Sequence, residues 1–527
     1  MSHCNYNKLY KHQIADIRRF KDESEIAIFG EMGTGKTCTA LKIAQYKYQS
    51  GQIDSLLVIA PNDVHKQWAT EQIPQWLTCK YRVQCLYGRG GAKQAFPFHE
   101  DDGLKIVCVN VDTFSTQSKW KEIISWALLG KTMIILDEAT SIKNPESSLR
   151  AQRIIYGFDK VVRKYRTVQS ATPLTVARII LTGTPATNGP SDLWALMEFL
   201  RPNYFGRNYH SFKFHFGMFT KITVTDNLGR ERTIPVKLNA ATWKAIKDIK
   251  DFAEASYVFG ISKDVFDVIH SQDHYEGPYK NADELKRLIE PVSVTRRLVD
   301  CVDMPDKNYI TKRITPNKEI LQATGQMIEK LIVQYKDVQM TAKNKISVIL
   351  RLQQISAGFI IEDFAEDVQE REVRWLGKPT KLEALYRDVA ECAKPLLILT
   401  FFSAEAERIY EDLKDTYSCC LMTGWRKVGT IEGFKEGEYE IMIANLRLIS
   451  KGFNLQNACT ILYYSNTFSL EDRLQSEGRI FRIGQKNTCT YINYVYEGIA
   501  IDEKMRLALE QKKDLLDYIM GVEDLCQ

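Results

Sequence analysis

Ile26-Ala27-Ile28-Phe29-Gly30-Glu31-Met32-Gly33-Thr34-Gly35-Lys36-Thr37 is an apolar run that breaks into three glycines and ends on a lysine and a threonine. The apolar run predicts a buried strand, and a helical pattern begins at Lys36. Between the two, Gly30 to Thr37 fits G-x-x-x-x-G-K-T in the strand-to-helix context that this motif requires. Glycines there let backbone N–H groups curl around phosphate oxygens. Lys36 has the reach for β- and γ-phosphates, and the Thr37 hydroxyl can ligate magnesium at a helix N-terminus. Gly33, Thr34 and Gly35 complete a nucleotide-holding loop.

Outward from this loop, residues 26 to 182 alternate β-branched runs (EIAIFG, SLLVIA, LKIVCVN, TMIILD, ARIILTG) with helical patterns. A second series (PLLILTFF, SCCLMTG, YEIMIAN, CTILYYS, TYINYV) runs between residues 395 and 495. Alternation of this kind predicts parallel sheets, hence two α/β lobes. The stretch between them is aromatic-rich from Tyr204 to Phe219, has a hairpin pattern from Lys221 to Lys237 around Asn227-Leu228-Gly229, and turns helical from Asn281 onward. The expected division is an N-terminal ATP-binding lobe over 1–205, a mainly helical insertion and linker over 206–370, a C-terminal lobe over 371–500 and a final helix over 501–527.

Met133-Ile134-Ile135-Leu136-Asp137-Glu138 supplies a second piece of chemistry, an apolar strand ending in two carboxylates. Asp137 would hold the magnesium and Glu138 would polarise the attacking water, which completes in-line phosphoryl transfer. Cations for the γ-phosphate are offered by Gln475-Ser476-Glu477-Gly478-Arg479-Ile480-Phe481-Arg482 in the second lobe. Arginines three apart are expected on one helical face, both guanidinium groups pointing into a cleft between lobes as arginine fingers. A finger in a separate lobe touches nucleotide only when the cleft closes, so hydrolysis can drive opening and closing.

Composition narrows the partners. The 527 residues are 44% hydrophobic, 26% charged and 11% aromatic, values that exclude collagen-like, coiled-coil-only and largely disordered chains. The net charge of +5 is too mild for a histone-like polycation, though Asn281 to Arg351 alone carries thirteen Lys/Arg against nine Asp/Glu. The polar start MSHCNYNKLYKHQ is no signal peptide, and the longest apolar run, Pro395 to Phe402, is too short to span a membrane. Twelve cysteines without a C-x-x-C pair read as reduced thiols. The pairs His210/His215 and His270/His274 read as surface or core histidines sooner than metal ligands.

On these residues the sequence resembles helicase superfamily two, and within it the Swi/Snf-like ATPases that translocate on double-stranded DNA. The resemblance implies tandem RecA-like lobes that use ATP and Mg2+. By position, Leu9-Tyr10-Lys11-His12-Gln13 matches the family's adenine-reading segment, which gives Gln13 the base edge. Leu56 to Pro61 with Gln67-Trp68, and Val109-Asn110-Val111-Asp112-Thr113, resemble loops that grip the phosphate backbone, which implies contacts from Pro61, Trp68, Asn110 and Thr113. Arg178 to Asn188, with its Leu181-Thr182-Gly183-Thr184-Pro185 string, is similar to the family's coupling motif. In the second lobe the resemblance puts Gly452 and Gln475 at the nucleotide, and Ser403 and Asn454 on DNA. Thr295-Arg296-Arg297 resembles the linker between lobes, and Arg482-Ile483-Gly484-Gln485 is the ending typical of the Swi/Snf group. Thr140 stands where the family's acidic box usually has histidine, so coupling between ATP and DNA is expected to be tuned differently.

The resemblance implies an ATP-driven motor on duplex DNA, in replication, recombination or repair, binding through backbone contacts with weak sequence preference and strong salt dependence. Without recognisable accessory motifs the chain looks like small bacterial or bacteriophage members, and is expected in the cytoplasm, or in the nucleus of a eukaryote. Two rivals stand beside this reading. One is a strand-separating helicase with the Lys221 to Lys237 hairpin as its wedge. The other is an ATP-driven clamp or remodeller whose protein partner docks on Tyr204 to Phe219.

Overall fold

Ile26, Ala27, Ile28 and Phe29 are at most 2% exposed, because the strand Glu25–Gly30 has a parallel neighbour on each side and is covered on both faces. Strands buried in this way need apolar side chains on both faces, which is why the sequence reads there as a continuous run. The computed structural model describes residues 9–86, 98–99, 103–115, 119–143, 145–146, 148–163, 166–169, 174–187, 189–225, 231–238, 240–272, 279–335, 338–341, 345–361, 373–449 and 453–519. The chain divides into two compact units, Met1–Cys301 with Gln511–Gln527, and Val302–Glu510.

The first unit is built on a seven-stranded sheet in the order Ser293–Arg296, Glu25–Gly30, Ala177–Thr182, Thr132–Asp137, Ser55–Ala60, Leu104–Asn110, Tyr81–Leu86. Every pairing in it is parallel. The helix Lys36–Gln49 packs Ala40, Leu41, Ile43 and Ala44 into a core shared with Ile26, Val58, Ile106, Ile135 and Ile179. The register aligns the strand ends: Phe29 faces Thr182, Leu181 faces Asp137, and Ala60 faces Asn110. Loops leaving these carboxyl ends therefore emerge together, the arrangement in which open α/β sheets place their ligand sites.

The second unit repeats the plan with the order Lys307–Ile314, Cys489–Tyr496, Thr460–Tyr463, Leu396–Thr400, Ile441–Asn445, Cys419–Met422, Lys427–Val428. Only the last pairing is antiparallel. Ile398, Ile443, Leu462 and Ile492 from the sheet pack on Ala406 and Ile409 of the helix Ser403–Leu413. The chain thus has two RecA-like lobes, as the sequence leads one to expect.

Residues 206–370, expected as one inserted region, divide between the two units. The hairpin Phe219–Thr225/Glu231–Lys237 and the helices up to Ser271 surround a small core of Met218, Trp243, Ile246, Val265 and Ile269 in the first unit. The expected turn at Asn227 lies outside the described residues. Helix Lys318–Lys330 and its neighbours pack Ile320, Met327, Ile355 and Leu376 against Tyr496 and Ile501 in the second. The helical pattern from Asn281 begins with Ala282–Ile289 and resumes in Lys318–Lys330 and Lys345–Ser356; between them the chain gives one edge strand to each sheet, Ser293–Arg296 and then Lys307–Ile314.

Candidate nucleotide site and second-lobe motifs

The loop Gly30–Lys36 is shaped by backbone conformations that only glycine adopts without strain. Gly33 and Gly35 have φ of 89° and 79°. A Cβ on Gly35, the residue that caps the helix Lys36–Gln49, would stand 2.0 Å from Gln13 Nε2. Lys36 curls back so that its Nζ donates to the carbonyls of Gly30 at 2.6 Å and Glu31 at 3.2 Å. Thr34 Oγ1 donates to the Glu31 carbonyl at 2.9 Å, and Thr37 lies in the first turn of the helix.

Gln13 is 3% exposed, and its Nε2 lies 3.5 Å from the Thr34 carbonyl, which His12 Nε2 meets at 2.9 Å. Its Oε1 accepts from the Tyr10 amide at 3.0 Å. Gln13 therefore sits against the phosphate loop.

Asp137 ends its strand almost fully buried. Its Oδ2 accepts from the Trp68 indole at 2.7 Å and its Oδ1 from the Glu138 amide at 2.9 Å. Burial pushes the Asp137 carboxyl above the usual range, opposed by the Trp68 hydrogen bond, the positive charge of Lys36 and the Glu138 amide. Glu138 has left-handed backbone angles, φ 46° and ψ 59°, a strained state for a side chain of that size and common at functional sites. Thr140, at the histidine position, lies with its Oγ1 3.5 Å from the Glu138 carbonyl.

Trp68 corrects an expectation. At 1% exposure, with its N–H committed to Asp137, the indole cannot grip a DNA backbone. A π-helical turn, Trp68–Gln72, lies between the short helices Val64–Gln67 and Ile73–Trp76, and irregularities of this kind are frequent at functional sites.

Two further residues tie the loops at these strand ends together. Gly183 is so close to the phosphate loop that a Cβ would stand 3.2 Å from the Gly30 carbonyl and 4.0 Å from Lys36 Nζ. Lys143, six residues after Asp137, is 4% exposed; it donates to the Thr184 carbonyl at 2.7 Å and Thr187 Oγ1 at 3.0 Å, and pairs with Asp192 at 3.2 Å. Sequence reasoning passed over Lys143, whose only signal is a lone lysine in a short loop after the acidic pair.

The proposed backbone contacts fall at neighbouring strand ends. Pro61 follows Ser55–Ala60; Asn110 ends the adjacent strand and its Nδ2 donates to Asn62 Oδ1 at 3.2 Å; Thr113 lies in the turn Val111–Ser115. In the second unit, Ser403 Oγ donates to Asn445 Oδ1 at 3.0 Å, again across adjacent strand ends, and Asn454 is exposed. Gly452 and Asn188 lie outside the described residues.

The arginine segment also departs from expectation. The helix Leu470–Glu477 stops at Gly478, so Arg479 and Arg482 occupy the turn after it instead of one helical face. Arg479 is 3% exposed and donates to the Phe453 carbonyl at 3.3 Å; Arg482 Nε donates to the Gly478 carbonyl at 2.8 Å, and burial pulls its guanidinium below the usual range. Gln475, on the helix, donates to Glu471 at 3.3 Å. Gln485 holds the turn: its Nε2 reaches the carbonyls of Gln456, Ala458 and Ile480 at 3.0, 2.9 and 3.2 Å, while its Oε1 accepts from the Lys486 and Asn487 amides, both at 3.0 Å.

The histidines have local partners. His215 Nε2 is 2.8 Å from Glu284, and His270 stacks on Phe266 with its ring nitrogens on the Phe266 and Ile249 carbonyls. His210 meets the Phe214 ring edge-on, and His274 lies outside the described residues. Among the described residues no helix is long and apolar enough to cross a membrane.

Residues 21–357 match the family model of the SNF2-related domain, and residues 378–484 match that of the helicase conserved C-terminal domain. A human SWI/SNF-related matrix-associated actin-dependent regulator of chromatin, subfamily A member 1, is 23% identical over 488 residues, covering 86% of this chain and 38% of that protein. The helicase/translocase YwqA of Bacillus subtilis is 22% identical over 519 residues, covering 94% of this chain and 46% of that protein. The chain thus spans less than half the length of either relative. Among solved structures, the Sulfolobus solfataricus SWI2/SNF2 ATPase core in complex with dsDNA aligns at a TM-score of 0.38 and 18% identity, over 98% of this chain and 93% of that one. With its SNF2-related match covering well over half of its length, the chain belongs to the SNF2 family.

Proposed function

We propose that the chain is an ATP-dependent translocase on double-stranded DNA. The observation that carries this reading is the alignment, at the carboxyl ends of adjacent strands, of the loops that hold Lys36, the Asp137–Glu138 pair and Gly183–Thr184, in a chain that also carries the helicase C-terminal domain with Arg479 and Arg482.

The donor set fits ATP with Mg2+. Two positive-φ glycines keep the loop open for backbone contact with phosphate, Lys36 supplies the cation, and the Thr37 hydroxyl with the Asp137 carboxylate offers hard oxygen ligands. Bound there, magnesium would screen the phosphate charge during in-line displacement. Asp137 is held by Trp68 so that one carboxylate oxygen is fixed by the indole and the other by a backbone amide. Glu138 orients and deprotonates the attacking water. Arg479 and Arg482 neutralise the developing charge when the two lobes close on the nucleotide, which couples hydrolysis to movement. Pro61, Asn110, Thr113, Ser403 and Asn454 contact the DNA backbone, so binding is sequence-independent and weakens steeply with salt.

ATP hydrolysis without nucleic acid and with single-stranded DNA, duplex DNA, branched DNA and RNA, with Lys36→Ala as control, tests the reading. Selective stimulation by duplex is expected. Stimulation by single strands alone would point to a strand-separating helicase, and none by any nucleic acid would overturn the motor.

A further inference from the structure

Glu31, the residue after Gly30 in the phosphate loop, directs its polar groups at two different segments. Its carbonyl accepts from Thr34 Oγ1 at 2.9 Å and Lys36 Nζ at 3.2 Å, inside the loop. Its amide donates to the Arg296 carbonyl at 2.9 Å, and its Oε2 accepts from the Leu298 amide at 2.8 Å. Arg296 and Leu298 belong to the segment through which the chain leaves the first unit, which ends at Cys301.

Other contacts close the same circuit. Arg296 pairs with Gly30 in the sheet register, and a Cβ on Gly33 would lie 3.5 Å from the Leu298 side chain. The Arg296 guanidinium forks onto Asp16, with Nε 3.1 Å and Nη2 2.5 Å from the two carboxylate oxygens. Asp16 lies on the helix Lys11–Phe20, whose first turn carries the His12 and Gln13 side chains to the Thr34 carbonyl. Loop, exit strand and first helix are therefore one hydrogen-bonded assembly, and Glu31 is the residue that joins its loop to its exit.

We propose that Glu31 is a positioning residue that relays the nucleotide state of the phosphate loop to the exit segment Arg296–Leu298. The relay rests on the nucleotide-binding part of the function proposed above. A phosphate oxygen on the loop competes with the Gly30 and Glu31 carbonyls for the Lys36 ammonium protons. Withdrawal of Lys36 frees the Glu31 peptide group to turn, and the turn loosens its hold on the Arg296 carbonyl and the Leu298 amide. Binding at the loop thereby softens the strand through which the chain passes to its second unit.

Hydrogen exchange at the Leu298 amide, followed by mass spectrometry on the full chain with and without Mg-ADP, tests the relay. In the wild-type chain Mg-ADP is expected to speed exchange at Leu298 about tenfold, the loss of one hydrogen bond of ordinary strength. Glu31→Ala should exchange fast in both conditions, whereas Glu31→Gln, whose amide oxygen still accepts from Leu298, should follow the wild type. Wild-type protection in Glu31→Ala would overturn the relay, as would a Leu298 amide that ignores bound Mg-ADP in the wild-type chain. DNA-stimulated hydrolysis with no change at Leu298 sinks the relay and leaves the motor standing; a Leu298 response without DNA-stimulated hydrolysis supports the relay and sinks the motor.

Discussion

The Trp68 indole donates to Asp137 across 69 residues of sequence, 2.7 Å from Nε1 to Oδ2, with both groups buried. It is a charge-assisted hydrogen bond in a dry setting, where its loss costs about 1–3 kcal/mol. Trp68→Phe keeps most of the aromatic volume and deletes the donor. It is predicted to fold, to lose roughly tenfold in kcat, about 1.4 kcal/mol of positioning, and to need more Mg2+ for half-maximal rate. A magnesium titration coinciding with that of the wild type would contradict this role.

Lys143→Met removes three contacts at once, to the Thr184 carbonyl, Thr187 and Asp192. Breaking a buried ion pair from one side costs about 3–5 kcal/mol. Thermal unfolding of the variant should start several degrees lower, and hydrolysis should fall further than stability accounts for, because Thr184 follows the glycine packed on the phosphate loop. Equal melting temperatures for variant and wild type would show that the pair carries no net stability.

Glu405 gives the second lobe a pH dependence. The side chain is fully buried; its Oε2 accepts from the Phe401 and Phe402 amides, both at 3.1 Å, and Ser465 Oγ at 2.6 Å, while its Oε1 has no hydrogen-bond partner among the described residues. Burial pushes its carboxyl from 4.5 up to about 7, against the Ser465 and backbone hydrogen bonds. The folded state then holds a proton that the unfolded chain releases near pH 4.5, so stability falls as pH rises from there to about 7 and is flat above. The full difference is of the order of 3 kcal/mol. Glu405→Gln, neutral at every pH, should raise the melting temperature at pH 8 and leave it unchanged at pH 4. A gain of the same size at both pH values would rule out titration as the cause.

Gln485→Ala deletes five hydrogen bonds, two to the carbonyls of Gln456 and Ala458, one to Ile480 in the Arg479–Arg482 turn and two from the Lys486 and Asn487 amides. Net losses of about 2–4 kcal/mol are expected from the donors and acceptors left without a partner. Because the nucleotide loop belongs to the other unit, kcat should drop while the KM for ATP changes little. A rise in KM with kcat preserved would place Gln485 in nucleotide binding.

Much of this was legible in the sequence because buried parallel strands and the phosphate loop are local signals. All ten apolar runs became strands. Within the two seven-stranded sheets four strands escaped notice: Tyr81–Leu86, Ser293–Arg296, Lys307–Ile314 and Lys427–Val428. All four form sheet edges, where half the backbone faces away from the sheet and polar residues are tolerated, so a run such as Lys307-Asn308-Tyr309-Ile310-Thr311-Lys312-Arg313-Ile314 carries no core pattern. The contacts that join the site, Trp68 to Asp137 and Glu31 to Leu298, span 69 and 267 residues and leave no local trace. The misplaced arginine helix was avoidable, since Gly478 stands directly before Arg479 and glycine commonly ends helices.

Displacement of a third strand from a DNA triplex, at limiting protein and with ATP, reads movement along duplex directly. The wild-type chain should release the third strand in an ATP-dependent manner, Lys36→Ala should not, and a forked duplex should stay paired. Duplex-stimulated hydrolysis with no triplex displacement, or separation of the fork in place of it, would contradict translocation on double-stranded DNA.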